Sequence, residues 1–123
     1  MGVFMKLINS NEIIIKKSRF LGFYYEISSP DEVNSILESL RKEHKKARHT
    51  PYAYVCSGTA KKSDDKEPNG TAGMPIYTVL ERKSMNNTLI VVIRYFGGIK
   101  LGAGGLFRAY MECAGKVIEE AKK

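Results

Sequence analysis

Three carboxylates, Asp64, Asp65 and Glu67, lie within four residues of one another in the segment DDKEPNGTAG at residues 64–73. Carboxylate oxygens at this density are typical of sites that bind Mg²⁺. Acidic residues that precede a helix are also stabilised by the positive end of the helix dipole, and this needs no ligand. No nucleophile or oxyanion donor can be assigned beside them from the spacing, so we favour a structural role and expect neither a metal ion nor a cofactor. The internal ion pairs that we consider join Asp64 or Asp65 to Arg94 or Arg108.

A glycine-rich turn is the second candidate site, in the segment RYFGGIKLGAGGLFRAY that follows the apolar run at residues 89–93. A strand that leads through glycines into a helix can hold an anion, because unpaired helix N–H groups face it and glycine allows close approach. The spacing matches neither a Walker loop nor a dinucleotide-binding fingerprint. The alternative is that the glycines allow tight packing of the turn and that Arg94 forms a structural salt bridge. Five glycines in nine positions favour the anion site. The residues concerned are Arg94, Gly97, Gly98, Lys100, Gly102, Gly104, Gly105 and Arg108.

His49 lies in the segment ARHTPYAY, just ahead of a predicted strand. An imidazole can exchange a proton near neutral pH, so His49 is a candidate acid–base group. A lone histidine is more often a hydrogen-bonding or surface residue. No Ser/His/Asp or Cys/His set can be argued from spacing, because its members would have to meet in the folded chain. We therefore assign no catalytic residue.

Hydrophobic periodicity predicts the elements that position these residues. Short β-rich runs at residues 3–9, 12–17 and 19–27, with turn chemistry at residues 10–11, predict three antiparallel strands. A helix is predicted from Pro30, with Ser29 as its N-cap and one apolar face. The remaining predicted elements are strands at 52–56 and 88–93, a helix through about residue 83 with Thr71 as its N-cap, and a helix at about 103–121.

The length of 123 residues favours one domain that spans residues 1–123. The formal net charge of +7, from 20 Lys+Arg against 13 Asp+Glu, suits a polyanionic partner and is also compatible with a merely soluble surface. A basic cluster at residues 41–49 also has two interpretations. It can compensate the dipole at the end of the first helix, or it can contact nucleic acid or the ribosome.

The cysteines and the hydropathy of the chain indicate where in the cell the protein is located. Cys56 and Cys113 stand far apart without a second ligand pair, so we expect buried thiols in a reducing compartment rather than a zinc site. No apolar stretch approaches the roughly 20 residues that span a bilayer, and no signal peptide opens the chain. We predict no membrane contact and a cytoplasmic location.

Three segments together resemble the signatures of the IMPACT family of YigZ-type proteins: ARHTPYAY, DDKEPNGTAGMPI and RYFGGIKLGAGGLFRAY. KSRF at residues 17–20 resembles the family's opening motif, and the resemblance covers about residues 17–115. It implies an α/β (α+β) fold in two layers, a sheet and its helices, with a left-handed βαβ crossover. The resemblance also implies the superfamily that contains the second domain of ribosomal protein S-five, elongation factor G domain IV and the GHMP kinases. One departure is Lys66, which stands where the family usually has glycine and would weaken a cation-binding loop.

The resemblance implies a role in translation, since eukaryotic members restrain a starvation-activated initiation-factor kinase by binding its activator. We expect the N-terminal-type domain only, acting as a non-catalytic module that contacts RNA, the ribosome or a translation-regulator protein. The alternative is a small phosphate- or nucleotide-binding enzyme that uses the glycine turn and the acidic loop. The expected contact residues are His49, Asp64, Asp65, Glu67, Thr71, Arg94, Gly97, Gly98, Lys100, Gly102, Gly104, Gly105 and Arg108.

Overall fold

Five strands and three helices make up the computed structural model, which describes residues 6–122. The strands join in the order β1-β2-β5-β3-β4, and every neighbouring pair is antiparallel. No helix among the described residues has the length and apolar character needed to cross a bilayer. The elements are β1 (Lys6–Ile15), β2 (Ser18–Glu26), α1 (Glu32–Glu43), β3 (Tyr52–Cys56), β4 (Thr59–Ser63), α2 (Gly73–Arg82), β5 (Thr88–Tyr95) and α3 (Gly102–Ala121).

The central strand β5 is buried on both faces. Its residues Ile90 and Val92 pack with α2 and α3, and the alternate residues Leu89, Val91 and Ile93 pack with α1. This explains why the run is apolar without alternation. The predicted α/β class is confirmed. The layering differs in one respect from the expected two layers, because α1 covers the second face and the sheet lies between helices.

Two crossovers join strands that run in the same direction, β2–α1–β3 and β4–α2–β5, and each steps over one antiparallel strand. When each crossover is viewed from the same face of the sheet with its own strands pointing upward, both crossovers move to the same side. The helices α1 and α2 nevertheless lie on opposite faces of the sheet. The two crossovers therefore have opposite hands. One of them is left-handed, as the resemblance implied, although most such connections are right-handed.

The N-terminal strands differ from the prediction. Residues 10–11 form no turn, and β1 continues through them as one strand; residues 3–5 of the first predicted run lie outside the described part. The Asn11 carboxamide accepts a hydrogen bond from Gly22 N–H at 3.1 Å, and the Asn9 amide donates to the Val117 carbonyl of α3 at 3.1 Å. Of the two residues that signal a turn in the sequence, Asn11 therefore bonds across the fold instead. The hairpin turn lies at Lys16–Lys17, both with positive φ.

Strand β4 is absent from the sequence prediction, which assigned residues 57–69 to a polar segment. Its residues are almost all exposed, so they carry no hydrophobic alternation. The strand forms because Ser57 and Gly58, at φ values of 52° and 77°, turn the chain back onto β3. Positive φ at both central positions is the geometry of a tight hairpin. The acidic segment leaves the sheet directly after this strand.

Candidate functional site

A buried ion pair between Glu67 and Arg94 lies at the centre of the site. Arg94 Nε donates to Glu67 Oε2 at 2.6 Å, and Arg94 Nη2 donates to Oε1 at 2.9 Å. The Tyr110 hydroxyl of α3 also donates to Oε2. Glu67 is 6% exposed and Arg94 is 9% exposed. A bidentate pair of this kind fixes the acidic loop against β5 and α3.

The electrostatics of the pair keep both partners charged. Burial raises the pKa of Glu67, but the hydrogen bonds from Arg94 and Tyr110 and the Arg94 charge outweigh burial and place that pKa below its ordinary value. Burial lowers the pKa of Arg94, and the Glu67 carboxylate reverses this and raises it. Burial and the neighbouring carboxylate raise the pKa of Tyr110. The positive charge of Arg94 is therefore balanced inside the protein.

His49 completes this cluster from the other side of the carboxylate. Its Nε2 lies 3.8 Å from Glu67 Oε1, and its Nδ1 lies 3.0 Å from the carbonyl oxygen of Asp65. The backbone of His49 forms an isolated bridge with Arg94. The hydrogen bond at Nδ1 agrees with the interpretation of His49 as a hydrogen-bonding residue, whereas Nε2 lies beyond hydrogen-bond distance of Glu67.

Asp65 is bound by the segment that precedes β3. Its Oδ2 accepts hydrogen bonds from Thr50 N–H at 2.6 Å and from the Thr50 hydroxyl at 2.8 Å. Its Oδ1 lies 3.7 Å from Arg41 Nη2 at the end of α1. Asp65 therefore ties the acidic loop to α1 and to the start of β3.

Asp64 caps the N-terminus of α2. Its Oδ1 accepts from the N–H groups of Ala72 at 3.1 Å and Gly73 at 2.9 Å, and its Oδ2 accepts from Gly70 N–H at 2.8 Å. Burial raises the pKa of Asp64, but these three N–H groups outweigh burial and hold it below its ordinary value. Thr71, which the sequence predicted as the N-cap, instead donates its hydroxyl hydrogen to the Pro68 carbonyl at 2.6 Å. The prediction placed a cap at the right helix but on the wrong residue.

The ion pairs predicted from the sequence, Asp64 or Asp65 with Arg94 or Arg108, are wrong. The partner of Arg94 is Glu67, because the chain turns through positive φ at Asp65 (43°) and Lys66 (73°) and directs the next carboxylate inward. Glycine adopts this conformation without strain. Lys66 therefore departs from the family pattern at a position whose backbone conformation favours glycine. The consequence that the structure shows is a lysine at positive φ, which differs from the weakened cation binding that we expected.

The glycine turn meets structural demands at three of its positions. A Cβ at Gly97 would lie 2.0 Å from the Lys17 carbonyl oxygen, and the Gly97 N–H donates to the buried Ser18 hydroxyl at 3.2 Å. Gly98 has a φ of 92°, and Gly102 begins α3 at a φ of 75°. The turn therefore needs glycine to approach β2 and to enter the helix, which supports the packing alternative. The other glycines of the turn are Gly104 and Gly105.

A basic groove of about 600 Å³ opens over Arg94. No carboxylate lines it, and Lys46, Arg48 and Lys100 are exposed there and form no ion pair within residues 6–122. A smaller concavity of about 240 Å³ adjoins it at the start of α3 and shares Arg94, Phe96 and Lys100 with it. The groove is lined by Lys46, Arg48, His49, Arg94, Tyr95, Phe96 and Lys100.

The predicted contact residues are only partly brought together. His49, Arg94 and Lys100 line the groove, and Glu67 lines the smaller concavity. Arg108 lies elsewhere, in a separate concavity beside Lys16. Five groove or cluster residues were not among the predicted contacts, although the basic run at residues 41–49 pointed to two of them. These five are Lys46, Arg48, Tyr95, Phe96 and Tyr110.

Comparisons with known proteins agree with this fold. A model of the Impact N-terminal domain matches residues 16–118. "IMPACT family member YvyE" of Bacillus subtilis (strain 168) is 43% identical over 119 residues, which cover 94% of this chain and 53% of that protein. The crystal structure of a hypothetical protein has a TM-score of 0.88 at 34% identity, over 98% of this chain and 62% of that chain. The two-domain translational regulator Yih1 shares the fold, with a TM-score of 0.58 at 24% identity over 98% of this chain and 49% of that one. This chain spans about half the length of the curated relatives it matches.

Proposed function

The chain belongs to the IMPACT family through its Impact N-terminal domain, and on this premise we propose that it is a translation-related module that binds RNA through the basic groove. The proposal describes a binding module in the cytoplasm and not an enzyme. The observation that carries it is the lining of the groove, where Lys46, Arg48 and Lys100 are exposed and no carboxylate of residues 6–122 takes part in the lining. Contacts of this type with phosphates supply most of the affinity of sequence-independent RNA binding.

The attraction for phosphate comes from the three exposed cations and not from Arg94. The Arg94 charge is balanced by Glu67, and the pair lies buried beneath the groove. Reversing the charge of Arg94 would leave Glu67 buried without its partner and would test folding instead of binding. Lys100 belongs to the glycine turn and lines both concavities, so it is the better site for a binding test.

The link to translation is part of the proposal. Yih1 is described as a translational regulator, but its 24% identity to this chain supports the fold alone. The net charge, the basic cluster at residues 41–49, the glycine turn and the family resemblance together place RNA, the ribosome and regulator proteins among the expected partners. We favour RNA because the groove presents positive charge beside an exposed aromatic ring, Phe96, and both features suit nucleic acid.

The alternative, a phosphate- or nucleotide-binding enzyme, has one observation in its favour, the smaller concavity at the start of α3. The acidic residues that such an enzyme would use are already engaged. Asp64 caps α2, Asp65 bonds to Thr50, and Glu67 pairs with Arg94. We therefore place this function second.

Titration of a fluorescent RNA with the protein over a series of salt concentrations tests the proposal. Three phosphate contacts predict that log K falls with log salt at a slope of about −2 for a single strand. A melting-temperature screen with nucleotides and Mg²⁺ tests the alternative, since a ligand that binds the folded state raises the melting temperature. Stabilisation by a nucleotide without RNA binding would favour the enzyme.

A further inference from the structure

We propose that the RNA in the basic groove is single-stranded and that one of its bases stacks on the Phe96 ring. This inference rests on the proposed function and specifies its ligand. It assigns Phe96 as a contact residue that sets the preference for single strands over duplexes.

Phe96 is 58% exposed, and it is the aromatic member of the small set of large apolar side chains that are exposed within residues 6–122. It follows β5 directly and lines both the basic groove and the smaller concavity. An exposed ring that contributes little to a core is a favourable place for another planar group. The position of Phe96 between two concavities makes its ring accessible to a ligand that enters either of them.

The Phe96 ring lies against a guanidinium group that is held in place. The guanidinium carbon of Arg94 lies 5.7 Å from the Phe96 ring centroid, and Glu67 holds that guanidinium by two hydrogen bonds. A cation near the ring attracts it electrostatically and limits its motion. A preorganised ring loses less conformational entropy when a base stacks on it.

The groove that Phe96 lines takes its exposed cations from two different segments. Lys100 comes from the glycine turn, and Lys46 and Arg48 come from the segment between α1 and β3. A strand that stacks one base on Phe96 can therefore place neighbouring phosphates near both segments. A basic groove that contains an aromatic platform is typical of proteins that bind single strands.

A duplex fits this arrangement poorly. Its bases are already stacked on one another, so Phe96 could reach a base face only after unstacking, which costs a few kcal/mol per step. Sequence-independent contacts with duplex phosphates would remain available to the three cations. The structure therefore predicts weaker binding of a duplex of equal charge.

The chain contains no tryptophan, so Phe96→Trp introduces a single indole whose fluorescence reports on stacking. We expect an unstructured oligouridine to quench this fluorescence strongly at low salt. Ile14→Trp serves as the control, because Ile14 is 65% exposed on the edge strand β1 and does not line the groove. Its fluorescence should stay unchanged in the same titration.

Phe96→Ala should weaken binding of the single strand by about 5- to 150-fold, the range given by the loss of one base–aromatic stack. The slope of log K against log salt should stay the same, because no phosphate contact is lost. The melting temperature of this variant should stay close to the original, since the side chain is exposed. Phe96→Trp should retain the affinity.

Equal binding of single-stranded and duplex RNA, with no effect of Phe96→Ala and no quenching at position 96, would overturn the inference and leave the proposed function standing. Absence of binding to either RNA at low salt would overturn both. Preference for the single strand, lost in Phe96→Ala and retained in Phe96→Trp, is the expected result.

Discussion

The carboxylate of Glu67 accepts two hydrogen bonds from the guanidinium of Arg94, at 2.6 and 2.9 Å, across 27 residues of sequence. Removing one partner of a buried pair leaves an uncompensated charge, which costs about 3–5 kcal/mol. We expect Arg94→Met to lose stability of this order in urea unfolding. The double variant Glu67→Gln/Arg94→Met should be more stable than the sum of the two single losses predicts, because the residues are coupled. Additive losses would show that the pair contributes no coupling.

Acid should remove the contribution of Glu67 to stability. The folded-state pKa of Glu67 lies below its ordinary value of 4.5, so its stabilisation is complete above that value and is lost as the pH falls through the folded-state pKa. We expect the free energy of unfolding of the original protein to exceed that of Glu67→Gln at pH 7. The difference should shrink steadily below about pH 4.5. A difference that stays constant down to pH 3 would contradict this account.

Asp64→Ala should destabilise the protein through the loss of a helix cap. Asp64 accepts three backbone hydrogen bonds at the start of α2, so the loss should lie near the upper end of the usual range, about 2 kcal/mol. Asp31→Ala is the matched control, since Asp31, and not the predicted Ser29, occupies the N-cap position of α1 and makes no side-chain cap bond. Thermal unfolding should show a clear loss for Asp64→Ala and almost none for Asp31→Ala. Similar losses in the two variants would argue against the capping role.

Lys66→Gly should stabilise the protein. Lys66 has a φ of 73°, which an L side chain adopts at a cost of about 1–2 kcal/mol and glycine adopts freely. The greater flexibility of glycine in the unfolded chain offsets part of the gain, so we expect a net gain of about 0.5–1 kcal/mol. Lys66→Ala removes the same charge and should bring no gain. Equal effects of both substitutions would trace the change to charge instead of backbone strain.

The sequence predicted the elements whose own residues carry a clear apolar pattern and missed those that depend on distant partners. The run around Val91 and the apolar face of α3 around Tyr110 are recognisable because one element alone sets their pattern. Asn11 signals a turn by its type, yet it lies inside β1 because Gly22 and Cys113 satisfy its side chain across the fold. Strand β4 carries no apolar alternation, so only its pairing with β3 reveals it.

The candidate site followed the same rule. Its location could be predicted, because the segments around His49, Glu67 and Arg94 carry distinctive residue types and the family resemblance unites them. The assignment of partners could not be predicted, since it depends on the positive φ values at Asp65 and Lys66 that turn Glu67 inward. The exposed position of Phe96 depends likewise on how the glycine turn packs against β2.

The most direct test of the proposed function compares two charge reversals, Lys100→Glu and Lys61→Glu. Both change the net charge by the same amount and both side chains are exposed, but only Lys100 lines the basic groove, whereas Lys61 lies on the edge strand β4. Binding to a single-stranded RNA should weaken about tenfold or more in Lys100→Glu, with a shallower salt dependence, and should change little in Lys61→Glu. An equal loss in both variants, or no loss in Lys100→Glu at low salt, would contradict the assignment of the groove as the RNA-binding surface.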